Sequence, residues 1–179
     1  MVCYTQTREG PTPRRANPTD AGLDLPFNPE NNAPLTIQPG QSVVLQTGLR
    51  FAIPQGYMLE VKNRSGNASK RSLIVGACVV DPGYDGEVFV NLHNIGTEAQ
   101  EIAVGMMIAQ AVLIPVVHFE PERIDPAWLT VMNKEISGRG DGALGSTDKE
   151  ARTDLTSRDV DPFETVVSFT EPFNCPSKW

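Results

Sequence analysis

Apolar residues recur along this chain in short stretches of Val, Ile, Leu and Phe, and turn-forming residues separate nearly all of them. Residues 2–7 read as a first strand, and further strands are expected at 35–37, 42–53, 57–62, 73–80, 87–93 and 108–117. The punctuation between them is "QPGQ", "IPQGY", "NRSGNASK", "DPGYDG" and "NIGTEAQ", all typical turn chemistry. Within residues 87–93, Val88, Val90 and Leu92 fall on one face, with Glu87, Phe89, Asn91 and His93 on the other. That second face is mixed; it suits contact with another subunit as well as it suits a solvated face carrying one Phe. Only residues 126–132 read as helix. Many short strands at this spacing predict an all-β fold, a sandwich or jelly roll.

At 179 residues, 40% hydrophobic and 21% charged, the chain has the balance of a soluble globular domain with a sizeable core. The net charge of −7 argues against a generic nucleic-acid surface, which needs clustered Lys and Arg, and leaves room for a local basic pocket. Cys3, Cys78 and Cys175 lack CxxC spacing and form no metal-ligand array with His93 and His118, so reduced cysteines in a cytoplasmic protein are expected. Residues 1–9 carry no apolar leader. The longest apolar stretch, residues 102–117, is broken by Gln110 and Pro115 and falls short of the ~20 residues of a membrane helix. It reads as sheet, and no membrane partner is expected. After Thr147 the composition turns highly charged. The domain expectation is therefore a β domain over residues 1–147, ending in a glycine-rich arm at 138–147. An extension over 148–179 follows, a linker plus one more strand in "FETVVSFTEPF".

The turn "DPGYDG" interrupts two apolar runs, which implies a hairpin anchored in the core with Asp81 and Tyr84 at its mouth. Asp81 either starts the turn by bonding its own backbone or holds and polarises a water as a general base. Three more glycine-bearing clusters stand out: "TDAGLDL" at 19–25, "NRSGNASK" at 63–70 and "GRGDGALGST" at 138–147. Arg64, Ser65 and Gly66 supply a guanidinium, a hydroxyl and an unobstructed N–H, the equipment for phosphate oxygens. On their own those letters more often mark an ordinary surface turn. The last cluster adds Arg139, four glycines and a Ser-Thr pair, a segment suited to ordering over a ligand or to serving as a linker.

In chain order, "AGLDL", "RSGNASK", "GACVVDPGYDGEV", "GMMIAQAVL" and "RGDGALGST" resemble the five motifs of the homotrimeric dUTPases, which split dUTP into dUMP and pyrophosphate. The resemblance implies a distorted β jelly roll, a homotrimer with three active sites at subunit interfaces, and an arm closing over a neighbour's site. It implies that Asp81 activates the water attacking the α-phosphorus and that Tyr84 packs on deoxyribose, where a 2′-OH would clash. Arg64, Ser65, Gly66 and Gln110 would grip the α- and β-phosphates, and Arg139, Gly145 and Ser146 would cover the γ end. Main-chain groups of Val75, Cys78, Val79 and Val80, with one near Phe89, would read uracil, and Leu144 would cover the base. Mg²⁺ would sit on the triphosphate, reached by Asp24 through water.

The chain also departs from the family pattern. Leu144 stands where Phe is usual and Cys78 where Gly is usual. Asn63 replaces a Pro, Asn67 an apolar residue, and Met106-Met107 an Asp-Arg pair, while Asp85 sits where Arg or Gln is common. Two other functions compete with dUTP hydrolysis. A dCTP deaminase on the same fold carries a catalytic Glu on the strand after the same turn, and here Asn91 stands at that place, unable to shuttle a proton. A non-catalytic nucleotide-binding module would be expected to have lost Asp81, Arg64, Ser65, Tyr84 or Arg139, and all are present.

Overall fold

The computed structural model describes residues 2–136. The chain divides after Glu120 into two units, and the domain boundary expected at 147/148 lies outside the described residues. In chain order the first unit holds β1 (Cys3–Gln6), β2 (Leu23–Pro26), β3 (Leu35–Ile37), β4 (Ser42–Gln46), β5 (Leu49–Ala52) and β6 (Tyr57–Lys62). Helix α1 (Ser65–Arg71) follows, then β7 (Leu73–Val75), β8 (Val79–Val80), β9 (Phe89–Asn94), β10 (Gln100–Ile102) and β11 (Met107–Pro115). The sheets run β2-β11-β6-β8 and β4-β9-β7, with two-stranded pairs β1-β5 and β3-β10, and every pairing is antiparallel. The all-β expectation holds.

Alternation explains which faces are buried. In β6, Leu59 and Val61 point inward; in β9, Val90, Leu92 and Asn94 do, with Val88 beside them. They meet Leu25, Phe27, Ile37, Leu45, Leu49, Leu73, Ile102 and Ile108 in one apolar core. The opposite face of β9 carries Phe89, Asn91 and His93, as the alternation predicts.

Two expected strands are each two. The run at 42–53 breaks at Thr47 and Gly48, because Gly48 turns with φ 70, and an added Cβ there would lie 2.5 Å from Asn28 Nδ2. The chain thus leaves β4, paired with β9, for β5, paired with β1. Residues 73–80 break at Gly76, whose N–H donates to the Asn91 carbonyl. The strand β7 stays with β9 while β8 crosses to β6 in the other sheet. The strands flanking "DPGYDG" therefore do not pair with each other, and the turn is a bridge between sheets instead of a hairpin tip.

Helix α1 occupies a segment that reads as a turn. Its only buried residue is Asn67, so it has no apolar stripe. It ends where Ser72 adopts φ 52 and donates its N–H to the Asn67 carbonyl, with Lys70 and Arg71 in the last turn. In the second unit, α2 (Pro126–Ile136) outlasts the expected 126–132. Asp125 Oδ1 accepts the Ala127 N–H at 2.8 Å, and Pro126 begins the helix where a missing N–H is harmless. No helix among the described residues is long and apolar enough to cross a membrane.

Candidate active site

Register brings the polar motifs together. On β11, Gln110 pairs with Asp24 of β2 on one side and Lys62 of β6 on the other. Two residues beyond Lys62, Arg64 is still extended and Ser65 opens α1. The Arg64 guanidinium donates from Nε to Asp24 Oδ1 (2.8 Å), from Nη2 to Asp24 Oδ2 (3.0 Å) and from Nη1 to the Met107 carbonyl (3.1 Å). This two-pronged pair is part-buried, Arg64 being 34% and Asp24 14% exposed in their side chains. A cleft of about 220 Å³ opens here, lined by Ala16, Asp20, Gly22, Asp24, Arg64, Ser65, Gly66 and Gln110. A Cβ at Gly22 would lie 1.8 Å from Gln110 Oε1, so a larger residue there would displace the Gln110 amide. At Gly66 a Cβ would meet nothing within 4 Å, so the backbone there is open to a ligand. The first-turn N–H groups of α1 have no intrahelical acceptor.

Two asparagines that sequence reasoning treated only as departures hold this loop. Asn63 Oδ1 accepts the Val75 N–H at 2.6 Å, while Gln110 Nε2 donates to the Asn63 carbonyl at 2.7 Å. Asn67 Nδ2 donates to the Met107 and Ile108 carbonyls at 3.1 and 3.0 Å. Nothing in the letters marked either as a structural tie.

The remaining described candidates form a second group. The turn is closed by the Tyr84 N–H donating to the Asp81 carbonyl at 3.3 Å. The Asp81 carboxylate makes no hydrogen bond among the described residues and is exposed, so of its two readings the side-chain turn-starter is not what the structure shows. Tyr84, 46% exposed, donates from Oη to the Glu87 carbonyl at 2.9 Å. Val75 N–H is bonded to Asn63, and the Cys78 carbonyl accepts the Val61 N–H at 2.7 Å, so both are engaged within the chain. Val79 and Val80 sit on β8, the edge strand of its sheet, with one row of backbone groups unpaired by any strand among the described residues. Phe89 is half-exposed on the outer face of β9.

None of Asp81, Tyr84, Val79, Val80 and Phe89 lines that cleft. From the register, Asp81 lies two strands across from Gln110 and about four residues further along, roughly 16 Å between backbones at standard strand spacings. Arg139, Leu144, Gly145 and Ser146 lie outside the described residues. Among those described, no three His, Cys, Asp or Glu side chains cluster as a metal cage.

Comparison with known proteins shows the family and the fold. A family model described as dUTPase matches residues 8–143. A deoxyuridine 5′-triphosphate nucleotidohydrolase of Bartonella bacilliformis is 37% identical over 146 residues, covering 75% of this chain and 81% of the relative. One from Rhizobium etli is 41% identical over 132 residues, covering 71% and 78%. Among solved structures, a mutant dUTPase from phage phi11 of S. aureus, which reveals how a structural Mg(II) ion is coordinated, superposes with a TM-score of 0.63. It is 22% identical and covers 70% of this chain and 97% of its own. The Staphylococcus bacteriophage 80alpha dUTPase with dUpNHpp gives 0.70 at 22% identity, covering 82% and 97%. The all-β architecture is thus that of the dUTPases, and the chain belongs to the dUTPase family.

Proposed function

We propose that this protein hydrolyses dUTP to dUMP and pyrophosphate, lowering dUTP and supplying dUMP for thymidylate synthesis. The observation that carries the reading is the cleft, where Asp24, Arg64, Ser65, Gly66 and Gln110 from three separated segments converge. Phosphoryl transfer needs placement and charge neutralisation above all. Arg64 and the open N–H groups of the first turn of α1 take phosphate oxygens, and Gln110 completes the floor. The Asp81 carboxylate orients a water and takes its proton as the oxygen bonds to the α-phosphorus. The bond from that phosphorus to the bridging oxygen breaks, and pyrophosphate leaves with the electron pair. Tyr84 packs on deoxyribose, and the free edge of Val79 and Val80, with the main chain near Phe89, offers donors and acceptors to the uracil imide. Arg139, Gly145 and Ser146 close the γ end, with Leu144 over the base.

The separation of Asp81 from Gln110 supports a site shared between subunits, with the phosphate cleft of one copy meeting the Asp81 turn of another, as a homotrimer would arrange it. Mg²⁺ is the natural partner of the triphosphate, since the cleft offers Asp20 and Asp24 oxygens but no cage of three ligands among the described residues. Asp24 retains lone pairs beyond its Arg64 bonds and would hold the ion through water. When bound, the ion neutralises phosphate charge. A cytosolic location is in keeping with the free Cys3 and Cys78.

The deaminase alternative is not favoured. Asn91 holds neighbours, its Nδ2 donating to Ser42 Oγ at 2.8 Å and its Oδ1 lying 2.7 Å from His93 Nε2. Pyrophosphate release from dUTP, dCTP, dTTP and UTP with Mg²⁺ tests the proposal. Turnover of dUTP far above UTP is expected, and Asp81→Asn should lose about 10²- to 10⁴-fold in kcat while still binding nucleotide. Ammonia release from dCTP, or a fully active Asp81→Asn variant, would overturn it.

A further inference from the structure

Beneath the Asp81–Tyr84 turn lies a cluster that the phosphate and sugar contacts do not use. Arg8, in the loop after β1, donates from Nη1 to Glu87 Oε1 (2.9 Å) and from Nη2 to Glu87 Oε2 (2.7 Å), while Nη1 also reaches the Asn28 carbonyl (3.0 Å). The Gly48 N–H donates to the same Oε1 at 2.8 Å. With side chains only 17% and 11% exposed, this is a fork-on-fork pair largely sheltered from water. A weaker contact links Arg8 Nη2 to the exposed Glu30 at 3.4 Å.

Glu87 is joined directly to the sugar-packing ring. Tyr84 Oη donates to the Glu87 carbonyl at 2.9 Å, and the ring folds so closely over Gly86 that a Cβ there would sit 2.4 Å from Oη. Few other ties fix the turn. Asp81 and Tyr84 close it through their backbones. Arg50 Nε donates to the Asp85 carbonyl, and its Nη2 lies 3.7 Å from an Asp85 carboxylate that is 96% exposed and so largely screened. Just past the turn, Val88 is bonded at both backbone groups, by Leu49 and by Thr47 Oγ1. Glu87 thus joins the lightly held turn to the anchored Val88, its carbonyl bonded by the Tyr84 ring and its carboxylate held by Arg8 and Gly48.

We propose that Arg8 and Glu87 are positioning residues that fix the Tyr84 ring through the Glu87 carbonyl, and so set the preference for deoxyribose over ribose. This rests on the dUTP-hydrolysing reading, in which that ring faces the sugar. Room for a 2′-OH depends on where the ring stands, so loosening the clamp weakens the exclusion without touching the phosphate cleft. The pair selects sugars at second hand; neither residue touches substrate.

The test compares full-length wild type with Glu87→Gln, which keeps an acceptor for Gly48, with Arg8→Lys, and with the double variant Arg8→Met/Glu87→Gln. Replacing both partners removes the buried charge, so the double variant keeps the fold if a single change does not. The dUTP-over-UTP ratio of kcat/KM is expected to fall about tenfold in Glu87→Gln and the double variant. Arg8→Lys should be intermediate, because an ammonium cannot fork onto both oxygens. Inhibition by pyrophosphate should stay within about twofold, since the cleft is intact. An activity-independent readout uses 3-fluorotyrosine in place of the three tyrosines, with the Tyr84 ¹⁹F resonance assigned by Tyr84→Phe. That resonance should shift or broaden while those of Tyr4 and Tyr57 stay. An unchanged ratio in folded variants, or an unmoved Tyr84 resonance, overturns the inference. Wild type without dUTP preference would instead sink the sugar reading, and the ¹⁹F spectrum would still judge the clamp.

Discussion

Asp24→Asn is the perturbation that best tests how the phosphate cleft is built. Asp24 holds Arg64, and in the proposed site it also reaches a metal through water; the two tasks predict different couplings. In the structure both carboxylate oxygens accept from Arg64, at 2.8 and 3.0 Å. Asparagine can accept only one of those bonds and presents its NH₂ to the other donor. A hydrogen bond to a charged group is worth about 1.5–3 kcal/mol, and the partial exposure of Arg64 moves the estimate to the lower end. The expected loss in kcat/KM is therefore about 1–2 kcal/mol, or about 5- to 30-fold.

The informative measurement is the full cycle of wild type, Asp24→Asn, Arg64→Gln and the double variant, assayed by pyrophosphate release at saturating Mg²⁺. If Asp24 acts mainly through Arg64, its substitution should cost little once Arg64 is gone, giving a coupling of about 1–2 kcal/mol. Thermal melts should show Asp24→Asn lowered by only a few degrees, keeping the kinetic loss separate from unfolding. Additivity of the two substitutions within about 0.5 kcal/mol would refute the reasoning and leave Asp24 a role independent of the guanidinium.

Gly66→Ala should raise KM for dUTP and weaken pyrophosphate inhibition at unchanged or slightly raised melting temperature, since alanine suits a helix better by about 0.5–1 kcal/mol and its methyl enters open space. Mixing inactive Arg64→Gln and Asp81→Asn subunits after unfolding and refolding should restore about a quarter of wild-type activity if each site draws on two copies of a ring. No recovery would place both residues of a site in one chain. Thr47→Val should cost about 1–3 kcal/mol of stability in a denaturant melt, because it removes the 2.6 Å bond from Oγ1 to the Val88 carbonyl at a fully buried position.

Much of this was legible in the letters, for identifiable reasons. The faces of β9 followed from alternation, since a half-buried strand writes its environment into every second residue. The breaks at Gly48 and Gly76 were not legible as changes of sheet, because an isolated glycine does not say which partner the next strand will choose. The short strands β2 and β10 owe their pairing to β11 and β3 and carry almost no local signal. Helix α1 escaped because it buries a single asparagine instead of an apolar stripe. At the site, Asp24, Arg64 and Gln110 could be named in advance. The Arg64–Asp24 pair, separated by 40 residues, and the Arg8–Glu87 pair, separated by 79, are products of the fold alone.

The departures at Asn63, Asn67 and Met107 make sense together rather than singly. A proline before Arg64 would stiffen the loop through its own ring. Asn63 instead ties the loop sideways, accepting the Val75 N–H through its side chain and the Gln110 amide through its carbonyl. On the other side a register shift in β11 between Met107 and Ala109 accompanies carbonyls of Met107 and Ile108 that serve side chains. Arg64 and Asn67 use them. What an ion pair at positions 106 and 107 could contribute is replaced here by the Asn67 amide and the Arg64 guanidinium bonding to backbone carbonyls of β11. The loop therefore presents a single cation to the cleft, the Arg64 guanidinium, whose orientation Asp24 fixes before any nucleotide is bound. That pre-set geometry is what a reaction dependent on placement requires.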